Sequence, residues 1–217
     1  MPRDDKLVDP ADAKVLLQRR TAVEEKVDGA NCGLSIGSTG RICAQSRGHY
    51  LDPGTGGQWK ALWGWLASRE SQLTATLGSS LILFGEWCYA QHSVAYDALP
   101  DWMLVTDVYD RQANRFWSRL RRDALARRLG LAMVPLLAEG TFSATSLLAL
   151  IGPSRLGAGW AEGIYLRWDD GDWLLARAKV VRPGWTLADE EHWSARPLRE
   201  NHLMGATSSA ARSRGPE

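Results

Sequence analysis

Long apolar runs are missing from this 217-residue chain. None approaches the ~20 residues that a helix needs to span a bilayer, so no membrane association is expected. Met1 to Lys6 are polar and no apolar stretch follows them, so no secretory leader is expected there. Cysteine is scarce. Cys32, Cys43 and Cys88 form no Cys-x-x-Cys pair and no even set, which excludes a zinc knuckle and a disulfide framework. Reduced thiols in a cytoplasmic protein are the expectation. An excess of one charge is lacking as well. Lys and Arg total 26 against 25 Asp and Glu, a net charge of +1, which excludes a globally basic nucleic-acid coat. Lysine itself is rare, with five against 21 arginines.

What is present fits a globular domain. The chain is 45% apolar, and its length suits one domain. Residues 1–205 are expected to form that domain. Residues 206–217 are small and polar and read as a disordered tail. The pattern mixes short strands with helices. Strands are predicted at Val23–Val27, Gly33–Ile36, Arg41–Ser46, Ser80–Glu86 and Met103–Tyr109. Two more, Gly163–Trp168 and Trp173–Val181, flank the turn Asp169-Asp170-Gly171-Asp172. Trp59, Leu62, Trp63 and Leu66 begin a helix that runs toward Leu77. Phe116, Trp117, Leu120, Ala124, Leu125 and Leu129 mark a second, amphipathic one ending at Gly130. Ser143 is placed to cap a short helix through Leu150. This arrangement predicts an α+β fold. The arginines at 111, 115, 119, 121, 122, 127 and 128 read as a solvated helix face; a phosphate-binding patch would need them clustered in space.

The segment Glu24-Glu25-Lys26-Val27-Asp28-Gly29-Ala30-Asn31 carries the chemistry. A lysine amine becomes a nucleophile among other cations or away from water. The α-phosphate of ATP is a suitable electrophile, and the product would be a lysyl-AMP. Gly29 would let the backbone approach a nucleotide closely. Further pieces follow in order: Ser46-Arg47-Gly48, Phe84-Gly85-Glu86-Trp87, Asp107-Val108-Tyr109-Asp110, Glu162-Gly163-Ile164-Tyr165 and Arg177-Ala178-Lys179.

In that order, the motifs resemble the covalent nucleotidyltransferase superfamily of ATP-dependent polynucleotide ligases and capping enzymes. Glu25, Asn31, the run Gly85 to Ala90, and Tyr96-Asp97-Ala98-Leu99-Pro100 resemble the phage-type RNA ligase 2 branch over about residues 21–205. The resemblance implies an ATP-grasp-like ligase adenylation domain. Its two mostly antiparallel sheets would enclose a nucleotide cleft, with flanking helices. It implies Lys26 as nucleophile, with Arg177 and Lys179 meeting the α-phosphate. The pattern usually has lysine where this chain has Arg177. Glu162 is implied as the ligand of Mg2+ or Mn2+, Glu86 as the ribose acceptor, and Arg47 as a ribose or phosphate contact. Glu25, Asp28, Asn31 and Tyr109 complete the implied nucleotide site. An aromatic that usually stacks on adenine is replaced here by Thr106, leaving Tyr109 or Trp87 as candidate rings. His49 and His92 read as structural.

The activity implied is ATP-dependent RNA ligation of 5′-phosphate and 3′-hydroxyl ends. A DNA ligase of the same superfamily, a guanylyltransferase and a non-catalytic nucleic-acid-binding module are the alternatives. RNA, as a nicked duplex or an RNA–DNA hybrid, is the expected partner of a monomer working beside end-processing proteins.

Overall fold

The computed structural model describes residues 10–182, 184 and 197–205. A first helix, α1 (Pro10–Leu17), leads into β1 (Thr21–Lys26) and β2 (Ala30–Ile36). Next come β3 (Ile42–Ser46), β4 (His49–Tyr50), a 3-10 turn at Gly57–Trp59, α2 (Leu62–Ala67) and α3 (Glu70–Leu77). The central part holds β5 (Leu81–Trp87), β6 (Met103–Asp110), β7 (Arg115–Phe116), α4 (Arg119–Arg128), β8 (Ala132–Met133) and β9 (Leu136–Gly140). The chain continues through α5 (Ala144–Leu148), β10 (Gly163–Asp170) and β11 (Trp173–Val181).

The strands build two sheets. One has the order β11-β10-β1-β9; the other runs β4-β3-β2-β5-β6-β7, with β8 pairing β6 in parallel. All other pairings are antiparallel. This is the expected α+β architecture of two mostly antiparallel sheets. β1 lies in the first sheet and β2 in the second, so residues 27–29 cross from one to the other. Each sheet has an apolar outer face. Cys32, Leu34, Leu83, Trp87, Met103 and Val105 pack beneath Leu62, Leu66, Leu73, Leu77, Leu125 and Leu129 of the helices. Val23, Ile164, Leu166 and Trp168 pack with Leu147 and the partly buried Leu16, Leu17 and Phe142. Strand alternation then turns the other side chains inward, where the sheets face each other. None of the described helices is long and apolar enough to cross a membrane.

Some elements differ from the sequence pattern. The single helix expected from Trp59 to Leu77 is three pieces. Its break at Ser68-Arg69 is held by Arg69, which lies 4.4 Å over the Trp65 ring and bonds Asp101 at 3.1 Å. Ser143 does cap its helix, through a capping box with Ser146. The tail at 206–217 falls outside the described residues.

The arginine-rich helix is the larger correction. α4 is not simply a solvated face. Arg119 and Arg122 are 7% and 1% exposed, and they tie the helix to both sheets. Arg122 meets Glu24 of β1 at 2.5 Å, Asp123 at 2.6 Å and the Thr106 carbonyl of β6 at 2.7 Å. Arg119 meets Asp123 at 2.8 Å and Glu139 of β9 at 2.5 Å. Thr106 is available because it bulges out of register between Phe84 and Gly85 of β5. Burial works against the charge of Arg122, yet Glu24 and Asp123 outweigh it and hold the group above its ordinary pKa.

Removing one partner of a buried pair strands the other charge in the interior. Arg122→Ala should therefore cost about 3–5 kcal/mol of stability in urea unfolding. A loss under about 1 kcal/mol would mean that water already reaches Glu24.

Candidate active site

Antiparallel register sorts the first sheet into rows on its inner face. Lys26 lies opposite Gly163. The next row is Glu24, Tyr165 and Lys179, and the one after it is Ala22, Arg167 and Arg177. Residues between these rows point into the outer core. Lys26 Nζ bonds Glu162 Oε2, which stands immediately before β10 and is 3% exposed against 20% for the lysine side chain. The Glu-Gly pair therefore has two functions. Glu162 meets the amine, while Gly163 passes so close to β11 that a Cβ would sit 2.1 Å from the Val180 carbonyl oxygen.

The second sheet supplies the facing wall. Asn31 of β2 pairs with Glu86 of β5, and Gly33 pairs with Phe84. Arg47, Gly48, His49 and Tyr50 form a rim at the β3–β4 hairpin. Together the walls enclose a cleft of ≈ 1070 Å³. It is lined by Lys26, Asn31, Arg47, Glu86, Arg177 and Lys179, among others. Burial pushes the Glu86 carboxyl up to about 8, against Lys26 and Arg47, which pull it down; Asp28 and Glu162 add to the rise.

Other expected site residues are held by contacts within the protein. The Asp28 carboxylate accepts from the Ser93 and Val94 amides at 2.7 and 2.8 Å, and its own amide donates to the Tyr96 hydroxyl at 2.8 Å. It braces the loop behind Lys26. Glu25 borders the cleft, but its carboxylate is taken by the Ser154 hydroxyl (2.5 Å) and the Arg155 amide (2.8 Å). Gly29 is required by its close packing against the end of β5. A Cβ there would lie 2.9 Å from the Trp87 carbonyl oxygen. Tyr109 is outside the cleft lining, packed edge-on to Phe116 at 5.0 Å with its hydroxyl on Asn114. Trp87 is fully buried in the helix-covered core and donates to the Gln58 carbonyl at 2.7 Å, so it cannot stack in the cleft. His92 bonds Gln58 at 2.8 Å, and burial holds it below its ordinary pKa. Cys32 is buried, and burial and Glu86 raise its thiol to about 12.

At the inner end of the cleft, Arg167 is the member that the sequence motifs did not single out. Asp107 receives Arg167 at 2.5 Å on one oxygen and Arg177 at 2.9 Å on the other. The Arg177 guanidinium also lies 4.5 Å over the Phe116 ring. Arginine fits this place better than lysine, because a planar group can be held by its edge and its face together. Glu24, Arg167, Phe84 and Tyr165 also line the cleft unanticipated. The available signal was charge in the middle of apolar strands, as in Gly163-Ile164-Tyr165-Leu166-Arg167-Trp168.

The RNA ligase family model matches residues 19–181, three-quarters of the chain and every strand just described. The chain belongs to the RNA ligase family. This ligase-family fold is also similar to solved structures of Naegleria gruberi RNA ligase. A variant with ATP and Mn shares 18% identity at a TM-score of 0.62, covering 88% of this chain and 59% of that one. The same ligase with PPi shares 20% at 0.62, covering 90% and 60%. A further variant, with AMP and Mn, shares 19% at 0.62. This chain thus spans about three-fifths of the length of those proteins. No curated protein sequence matches it.

Glu86 gives a pH signature of the cleft. Its folded value of about 8 lies above the ordinary 4.5. Between those values the folded chain keeps a proton that the unfolded chain has released, so stability falls as pH rises across the window. Glu86→Gln cannot ionise and lacks this fall. At pH 8.5 its Tm should exceed that of the parent by about 2 °C or more, the gap closing near pH 4. Parallel curves for the two proteins would place the carboxyl in solvent.

Proposed function

We propose that this chain is an ATP-dependent RNA ligase of the phage-type RNA ligase 2 branch, with residues 1–205 as its adenylation domain. The observation that carries this reading is the Lys26–Glu162 contact beside a cleft walled by Lys26, Arg47, Glu86, Asn31 and Lys179. A primary amine there faces a space with room for a nucleotide.

In the first step the Lys26 nitrogen attacks the α-phosphorus of ATP. An N–P bond forms, the P–O bond to the β-phosphate breaks, and pyrophosphate leaves. Glu162 already accepts a hydrogen bond from the amine and orients its nitrogen, and the proton that the amine sheds goes to solvent. Arg47 and Lys179 supply positive charge to the phosphates, and Asn31 offers an amide to them or to the incoming strand. In phosphoryl-type chemistry, positioning and charge neutralisation account for most of the rate. An oxygen of a 5′-phosphate end then attacks that α-phosphorus and the N–P bond breaks, freeing Lys26; a 3′-hydroxyl attacks the 5′-phosphorus, AMP leaves and the strand is sealed.

The donor set fits a divalent cation shared with the substrate. Among the described residues no group of three or more His, Cys, Asp or Glu could hold a metal alone. Magnesium and manganese sites of this kind use one or two carboxylates and take their remaining oxygens from phosphate and water. Glu162 would hold the ion, which would neutralise phosphate charge when bound.

Incubation with α-labelled ATP and magnesium should transfer label to the intact protein. Lys26→Ala should abolish the transfer, and Glu162→Ala should lower it by about 100-fold or more. Sealing of nicked RNA duplex, compared with nicked DNA, reads the strand preference. A chain that never takes label would be a binding module, and preferential labelling by GTP would indicate capping.

A further inference from the structure

Resting on the reading of the chain as a ligase that passes AMP to a 5′-phosphate end, we propose that a second pocket takes the terminal nucleotide of that strand, its base against Trp160 and its backbone beside Arg182. This pocket measures ≈ 350 Å³ and shares no lining residue with the cleft. Gln91, Tyr96, Trp160, Arg182, Asn201 and His202 form much of it. It lies at the Lys26 end of the first sheet. Arg182 follows Val181, which pairs with Gly163 in the row of Lys26, and its amide donates to the Glu162 carbonyl at 3.0 Å. Trp160 stands two residues before Glu162, so at most about 7 Å of chain separates them. A 5′-terminal base lies a comparable distance from its own phosphate. A strand end that brings its phosphate to the adenylate on Lys26 can therefore reach Trp160 with its first base.

The ring is presented on a braced support. Residues 153–160 form a small hairpin, closed by the Pro153–Trp160 bridge and by a bond from the Ser154 amide to the Gly159 carbonyl at 2.8 Å. Glu25 holds one side of it through Ser154 and Arg155. On the other side Leu156 is buried, and its carbonyl accepts from the Ala98 amide at 3.0 Å. A Cβ on Gly157 would stand 2.8 Å from the Ala95 carbonyl oxygen, so the hairpin is packed tightly there. Trp160 is nevertheless 56% exposed. A single tryptophan on a surface carries no meaning by itself. This one borders a pocket beside the nucleophile, on a fixed frame that loses little freedom when a base stacks on it. Charge admits a phosphate as well. Glu200, which also lines the pocket, is compensated by Lys60 at 2.6 Å, and Asp97 is exposed to solvent. Arg182 supplies the positive charge that a backbone phosphate would meet.

The test follows the second step alone. The full chain is loaded with labelled AMP, freed of ATP and mixed with nicked RNA duplex and magnesium, and transfer is counted per labelled protein. Trp160→Ala should raise the RNA concentration for half-maximal transfer about tenfold, whereas Trp160→Phe, which keeps a ring, should stay within about threefold of the parent. Removing the base of the 5′-phosphate nucleotide should weaken the parent about tenfold but Trp160→Ala less than about threefold, because the two losses are then one interaction. A parental concentration dependence in Trp160→Ala, an equal loss in Trp160→Phe, or fully additive losses overturns the assignment. So does the same coupling found with a base removed at the 3′-hydroxyl end instead, or a Trp160→Ala chain that takes no label. In each of those cases labelling of the parent by ATP still upholds the ligase reading. A parent that takes no label overturns both.

Discussion

The register that β10 shares with β1 on one side and β11 on the other constrains everything else in the cleft. Side chains on a strand alternate between two faces. Once Lys26 is set opposite Gly163, the inner face is decided for three strands together: Glu24 with Tyr165 and Lys179, then Ala22 with Arg167 and Arg177. A slip of one residue in either pairing would send these groups into the apolar layer of Val23, Ile164, Leu166 and Val180. The energy that fixes the site thus comes largely from the face that does not touch it. Gly163 belongs to the same constraint, since any side chain there would collide with β11.

Two charged seams join the sheets across this frame. The first runs from Glu24 through Arg122 to Asp123, Arg119 and Glu139. The second runs from Arg167 through Asp107 to Arg177. Both carry opposite charges in contact, which offsets much of the cost of burying them. They also meet at one atom, the Thr106 carbonyl oxygen, which accepts from Arg122 at 2.7 Å and Arg167 at 3.3 Å. Cation–π contacts reinforce the same end, where the backbones of Trp117 and Trp173 bridge and Arg121 lies 3.8 Å over the Trp117 ring and 5.0 Å over that of Trp173. The cleft is therefore anchored at its inner end.

Much of this was legible from residue order. The strands with strong alternation, β2, β5, β6, β10 and β11, sit within a few residues of their expected limits, and so do the residues that line the cleft at Lys26, Asn31, Arg47, Glu86, Arg177 and Lys179. What sequence could not reveal depends on pairing at long range. Strands β7 and β8 have two residues each, too few for a period to register. Arg119 and Arg122 look like surface charge until Glu24, about a hundred positions earlier, is known to face them. Tyr109 and Trp87 are aromatic and close to motif residues, yet the pleat sends Trp87 into the core and Phe116 draws Tyr109 aside.

The loop behind Lys26 depends on residues far along the chain. Asp28 is gripped by the amides of Ser93 and Val94 and by the Tyr96 hydroxyl. That loop is gripped in turn by the segment around Asn201, which is 2% exposed. Its side-chain amide donates to the Cys88 and Ala90 carbonyls at 2.8 and 3.1 Å and accepts from the Tyr96 amide at 2.8 Å. The backbone of His202 adds bonds to Tyr96 and Leu99. A buried amide with three partners is costly to disturb, since each loss leaves an unsatisfied polar group. The position of Lys26 is therefore set from two sides. Sheet pairing fixes it from the front, and a strap nearly 180 residues later fixes the turn that follows it. Asn201 thus belongs structurally with the amine that lines the cleft.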